Sequence, residues 1–139
     1  MKKGFEDKFV DLQSEFISLC LEVANHKVDK VYAYVSLEKK SRMFNAFFAV
    51  HNEVKTLNQL NIEYAVMKEF LKLGTTDLEK IKNLCEEYET KTPTEIKMYY
   101  DNITGEYTAS YKYDAVCTPQ TGINAGDVFI NWVNEMKLS

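Results

Sequence analysis

Proline and glycine are scarce, with two prolines and five glycines in 139 residues. A chain so poor in both is neither collagen-like nor a low-complexity linker. The glycines stand scattered, so no G-x-x-x-x-G-K-[ST] or G-x-G-x-x-G phosphate-binding loop can be assembled. Histidine occurs twice, as His26 and His51, and neither lies with Cys, Asp or Glu at metal-ligand spacing. The three cysteines, Cys20, Cys85 and Cys117, are odd in number and far apart. That spacing argues against a disulfide framework and against C-x-x-C chemistry, and it reads as three reduced thiols in a cytoplasmic protein. No apolar run approaches the roughly 18 residues of a membrane span. The charged start, Met1 to Lys8, is not followed by the apolar stretch of a signal peptide.

What is present suits one packed domain over residues 1–139. The hydrophobic share is 45% and the aromatic share 13%, with nine Tyr and eight Phe. A chain of this length can bury roughly two-thirds of its unfolded surface without staples. The net charge of −4 disfavours nonspecific adhesion to nucleic acid or an anionic membrane. It is unevenly spread: residues 31–76 carry six Lys/Arg against four Asp/Glu, whereas residues 77–114 carry five Lys against nine Asp/Glu.

Periodicity divides the chain. Phe5, Phe9, Leu12, Phe16, Leu19 and Val23 form one helical stripe, which predicts a helix over 5–26 ended by Asn25-His26-Lys27, with Asp7, Asp11, Glu15 and Glu22 off the stripe. The period then falls to two. Strands are predicted over 31–38, 43–50 and 54–57, joined by a charged turn at 39–42 and a tight turn at 51–53 as an antiparallel meander. A short helix over 64–73 should close at Gly74, and Thr76-x-x-Glu79 reads as a capping box opening a second helix to about Thr90. Pro93 precedes two strands, 95–100 and 107–113, that flank a hairpin loop. Residues 115–126 read as a loop, and Asp127 should cap a last helix carrying Phe129, Trp132, Val133 and Met136. The expected fold is α+β in the order α-β-β-β-α-α-β-β-α, a single antiparallel sheet of four or five strands with helices mainly on one face.

No chemistry-bearing constellation emerges. Nothing in the sequence brings Cys85 or Cys117 beside a histidine, and triads are defined by geometry. No catalytic, metal or cofactor-binding residue is therefore assigned, and the chain is not expected to be an enzyme. Lys39, Lys40 and Arg42 beside exposed Tyr32 and Tyr34 would resemble a single-strand nucleic-acid platform, but the opposing net charge argues against it. Two features remain. Glu86-Glu87-Tyr88-Glu89 is an acidic helix edge. The last hairpin is dense in tyrosine, a residue favoured at protein interfaces. They nominate Glu86, Glu87, Glu89, Asp101, Glu106, Tyr99 and Tyr111 as a surface that binds a protein partner, with no nucleic acid and no membrane involved. A small-molecule or regulatory domain using a cavity between sheet and helices is the alternative.

Three segments carry a resemblance. Lys30 to Val35, Phe44 to Phe48 and above all residues 93–114, where a proline leads a strand, a glycine marks the turn and Tyr111-Lys112-Tyr113-Asp114 ends the hairpin, resemble the YezG-like immunity protein family. Trp132 fits that family's closing aromatic, and the likeness spans roughly residues 5–137. It implies a bacterial antitoxin that blocks a cognate toxin stoichiometrically, a nuclease in several members, and it has no catalytic residues to carry over. Residues 117–122 depart from the pattern. A basic nuclease cleft meeting an acidic inhibitor would gain association rate and selectivity from complementary charge.

Overall fold

The computed structural model describes residues 4–38, 41–117 and 122–138. Helix α1 (Phe5–Val23) leads into strands β1 (Lys30–Glu38), β2 (Ser41–Val50) and β3 (Glu53–Thr56). A short 3-10 turn at Leu57–Leu60 precedes α2 (Tyr64–Glu87). Strands β4 (Glu95–Asp101) and β5 (Tyr107–Lys112) and helix α3 (Ala125–Lys137) complete the chain. The strands form one antiparallel sheet in the order β3-β2-β1-β4-β5, the α+β architecture expected from the alternation of periods.

Alternation on β1 decides what each face receives. Val31, Ala33, Val35 and Leu37 point to α1 and α2, and with Phe16, Phe44, Phe48, Phe70, Leu78 and Ile81 they make the larger core. Tyr32 and Tyr34 point the other way, where α3 covers them with Phe129, Trp132 and Val133. The sequence reading had these two tyrosines exposed. They are 5% and 0% exposed because α3 crosses β2 and β3 on that face, with the Tyr32 and Phe47 rings stacked at 4.5 Å. Buried Glu95 accepts a hydrogen bond from the Tyr34 hydroxyl at 3.3 Å and lies 3.7 Å from the Lys112 ammonium.

The helices predicted over 64–73 and 78–90 are one continuous helix, and Gly74 lies inside it. Its backbone is not left-handed, so it is no terminator. Its role is close approach. A β-carbon at Gly74 would fall inside the Phe44 ring, 2.7 Å from Cγ and nearer still to Cδ2 and Cε2. Thr75 and Thr76 do not cap a helix: their hydroxyls bond back to the carbonyls of Leu71 (2.8 Å) and Lys72 (3.2 Å), the mid-helix alternative for these residues. At α3 the cap is Asn124 rather than Asp127. Asn124 Oδ1 accepts the Asp127 N–H at 2.9 Å while Asp127 Oδ2 accepts the Asn124 N–H at 3.1 Å.

The turns follow the residues that tolerate positive φ. His51 and Asn52 (52° and 66°) form the two-residue loop between β2 and β3, and Asn25 and His26 (53° and 58°) end α1. No helix among the described residues is long and apolar enough to cross a membrane.

Candidate functional site: an acidic groove between the two long helices

Helices α1 and α2 run antiparallel on the sheet, with the Phe5 and Tyr88 rings 5.7 Å apart at one end. The buried stripe of α1 comprises Phe5, Phe9, Gln13, Phe16, Ile17, Cys20 and Val23. Leu12 and Leu19, placed on that stripe by their spacing, are half-buried because they turn toward α2. This rotation leaves Asp7, Asp11, Glu15 and Glu22 on the outside.

Between the helices lie two adjoining hollows of about 500 and 390 Å³ that share Asp11 and Lys80. Among the described residues, five carboxylates line them (Asp11, Glu15, Glu22, Asp77 and Glu87), against two ammonium groups, Lys8 and Lys80. Lys80 bridges the helices, 3.2 Å from Asp77 Oδ1 and 3.6 Å from Glu15 Oε2. Asp77 is only 6% exposed. Burial pushes its carboxyl above the usual carboxylate range and neighbouring Glu15 adds to this, partly offset by Lys80. Lys80 is in turn held above its ordinary value by Asp77 and then Glu15. At the open end the Lys8 ammonium sits 5.4 Å over the Tyr88 ring.

The seven nominated residues are not one surface. Glu86 and Glu87 end α2, and Glu89 follows in a left-handed turn (φ 51°). Glu86 lies 4.0 Å from Lys82, and Glu87 alone of the seven lines the acidic groove. Tyr111 leans on α1: its ring is 5.7 Å from Phe9 and its hydroxyl donates to Gln13 Oε1 at 3.0 Å, an acceptor shared with the Tyr107 hydroxyl. Asp101 and Glu106 lie at the far end of the β4–β5 hairpin, roughly 20 Å along the strand from Glu95. Asp101 has structural work there. It accepts the N–H groups of Ile103 (2.9 Å) and Thr104 (3.1 Å), which hold its carboxyl below the usual range. Tyr99 is on the opposite face, 5.3 Å from the Tyr32 ring.

Other groups that chemistry could use are tied into the fold. Cys20 and Cys85 are buried and burial pushes both thiols up, the wrong direction for a nucleophile. No group of three or more His, Cys, Asp or Glu among the described residues is placed to hold a metal ion. Tyr32 and Tyr34 are buried and so offer no exposed rings to a single strand; Arg42 pairs with Glu79, and Lys39 and Lys40 lie outside the described residues. Glu38 accepts the N–H groups of Val116 (3.2 Å) and Cys117 (2.9 Å), fixing the start of the loop expected over 115–126, which ends earlier, where α3 begins at Ala125; residues 118–121 lie outside the described residues.

Sequence reasoning missed the carboxylates of α1 as a site. The signal was present, since the positions off its apolar stripe are acidic, but only the antiparallel packing of α2 sets Asp77 and Glu87 against them. Compared with known proteins, the sequence matches no family model and no curated protein.

Proposed function

We propose that this chain works by binding a basic protein, in the manner of an immunity protein that blocks a cognate toxin stoichiometrically. One observation carries the reading: among the described residues, the α1–α2 groove gathers five carboxylates and two lysines along a helix pair. A negative concave surface raises the local concentration of a positive partner and steers its approach. Helices present the charges on a rigid frame, so little ordering entropy is lost when a partner docks. A nuclease toxin fits the partner's chemistry, because a cleft that binds phosphates is basic.

The ligand-cavity alternative finds less support. The space between sheet and long helices is filled by Phe16, Phe48, Val35 and Ile81, each 0% exposed. The direct test is quantitative capture of partners from source cells at low salt, comparing the native chain with Glu15→Lys/Glu22→Lys. A basic protein held in a one-to-one complex by the native chain and lost by the variant supports the reading. Equal capture by both removes the groove from it.

A further inference from the structure

Strand β5 ends the sheet, and its ladder to β4 runs unbroken from the Tyr100–Tyr107 pair to the Glu95–Lys112 pair. The direction of its backbone groups follows from that ladder. The Asp101 N–H donates to the Glu106 carbonyl at 2.8 Å, and the Thr94 N–H to the Lys112 carbonyl at 2.7 Å. Glu106, Thr108, Ser110 and Lys112 therefore address β4, and by alternation the amides and carbonyls of Tyr107, Ala109 and Tyr111 point away from the sheet. Among the described residues no strand pairs with them. Sheet edges are commonly blunted by a bulge or a proline. β5 contains neither, and its one charged residue, Lys112, stands at its end.

Side chains do not cover this edge. Tyr107 is 38% and Tyr111 39% exposed, Thr108, Ser110 and Lys112 are exposed, and Ala109 is half-buried. The helices rest on the other strands: α1 on β1 and β4, α2 on β1 and β2, and α3 on β2 and β3. Tyr107 and Tyr111 reach back to Gln13 of α1 on one face, which leaves Thr108, Ser110 and Lys112 on the other.

We propose that β5 pairs with β5 of a second copy of this chain, antiparallel about a two-fold axis at Ala109, so that two five-stranded sheets become one. The sequence of the strand selects both occupant and register. With Ala109 opposite its own copy, Tyr107 faces Tyr111, and the outward backbone groups of these three residues form about six hydrogen bonds between the copies. On the other face Thr108 meets Ser110 and Glu106 meets Lys112, each pair occurring twice by symmetry. Among the described residues Glu106 has no ammonium partner. The Lys112 ammonium lies 3.7 Å from Glu95 on a side chain 57% exposed, and an ammonium has three donors to share. Sliding the strands by two residues loses the match, because Glu106 then faces Ser110 or Asp114. This interface lies off the α1–α2 groove, and the inference does not rest on the proposed function.

A single strand pair is a smaller contact than the roughly 1,200–2,000 Å² of stable interfaces, so the dimer should be weak, with a dissociation constant on the order of 100 μM. The test is sedimentation equilibrium of the full chain from about 10 μM to about 1 mM at physiological salt, with amide hydrogen exchange followed over the same range. A monomer–dimer equilibrium is expected. As the dimer fills, the Ala109 and Tyr111 amides should slow by roughly tenfold or more, while those of Thr108 and Ser110, already bonded to β4, change little. Thr108→Glu/Ser110→Glu sets like charges opposite each other at both symmetric pairs and should weaken the dimer by roughly tenfold. Thr108→Lys/Ser110→Glu sets opposite charges there and should tighten it. Both variants alter exposed positions and leave the buried Glu95 and its Lys112 contact in place. Three results would each overturn the proposal: a monomer throughout the range, a dimer in which the Ala109 and Tyr111 amides exchange as fast as in the monomer, or equal dimer affinity in the two charge variants.

Discussion

Replacing Gly74 with alanine tests how α2 meets the sheet. In an exposed helix the change stabilises by about 1 kcal/mol, because glycine is the poorer helix former. At this position the new methyl enters the space of the Phe44 ring. That ring cannot easily withdraw, since it is held between Phe16 at 5.2 Å and Phe70 at 5.1 Å. Overpacking of this kind costs typically about 1–3 kcal/mol, and the short approach puts the cost at the upper end. The net loss should be about 2 kcal/mol, which lowers the Tm of a domain this size by roughly 7 °C. Adding Phe44→Leu, which removes the ring from the contact, should make Gly74→Ala nearly neutral in that background. The assay is urea unfolding of the four proteins in the cycle, followed by circular dichroism. A Gly74→Ala protein as stable as the native chain would refute the contact. A loss that Phe44→Leu leaves unchanged would also refute it, and would fit a helix ending at Gly74.

Further outcomes are expected elsewhere. Asn124→Ala should lower stability by about 1 kcal/mol through loss of the reciprocal cap, measured by denaturant unfolding. Asp77→Asn should gain stability relative to the native chain as pH rises: a carboxyl raised by folding binds its proton more tightly when folded, so its ionisation destabilises above the ordinary carboxylate range, and the two proteins should converge in acid. Asp101→Ala should behave oppositely. Its lowered carboxyl contributes stability above the unfolded pKa that disappears as pH falls through the folded one, so the variant's deficit should shrink at low pH. Both are read from unfolding midpoints across a pH series.

Period-2 alternation, the apolar run at 43–50 and the turn signals between them were enough to locate all five strands, and the residues of β1 and β4 sort cleanly by face. Charge and periodicity could not reveal that α2 continues through Gly74. The glycine there answers a tertiary contact with Phe44, which local rules read as a stop. Nor could they place α3: an amphipathic stripe says that a helix packs, not on which side of a sheet. The candidate site was legible in pieces. Glu87 was identified from its own helix, while Asp11, Glu15 and Asp77 gain meaning only when two segments more than sixty residues apart lie side by side. Asp101 and Tyr111 looked like surface groups, and both also serve the fold: Asp101 through local hydrogen bonds from Ile103 and Thr104, and Tyr111, still 39% exposed, through a long-range one to Gln13.

The central claim is that the α1–α2 groove draws in a basic partner, and association kinetics test it most directly. With the captured partner in hand, association rates of the native chain, Asp11→Lys/Glu15→Lys and Asp101→Asn/Glu106→Lys would be compared at low and high ionic strength. Charges spaced beyond the roughly 8 Å screening length of physiological salt lose most of their long-range pull, so a steered encounter is fast at low salt and slows as salt rises. The groove variant should associate roughly tenfold more slowly at low salt with a flattened salt dependence, while the hairpin variant keeps most of the native rate. Equal rates for the groove variant and the native chain at low salt would contradict the account.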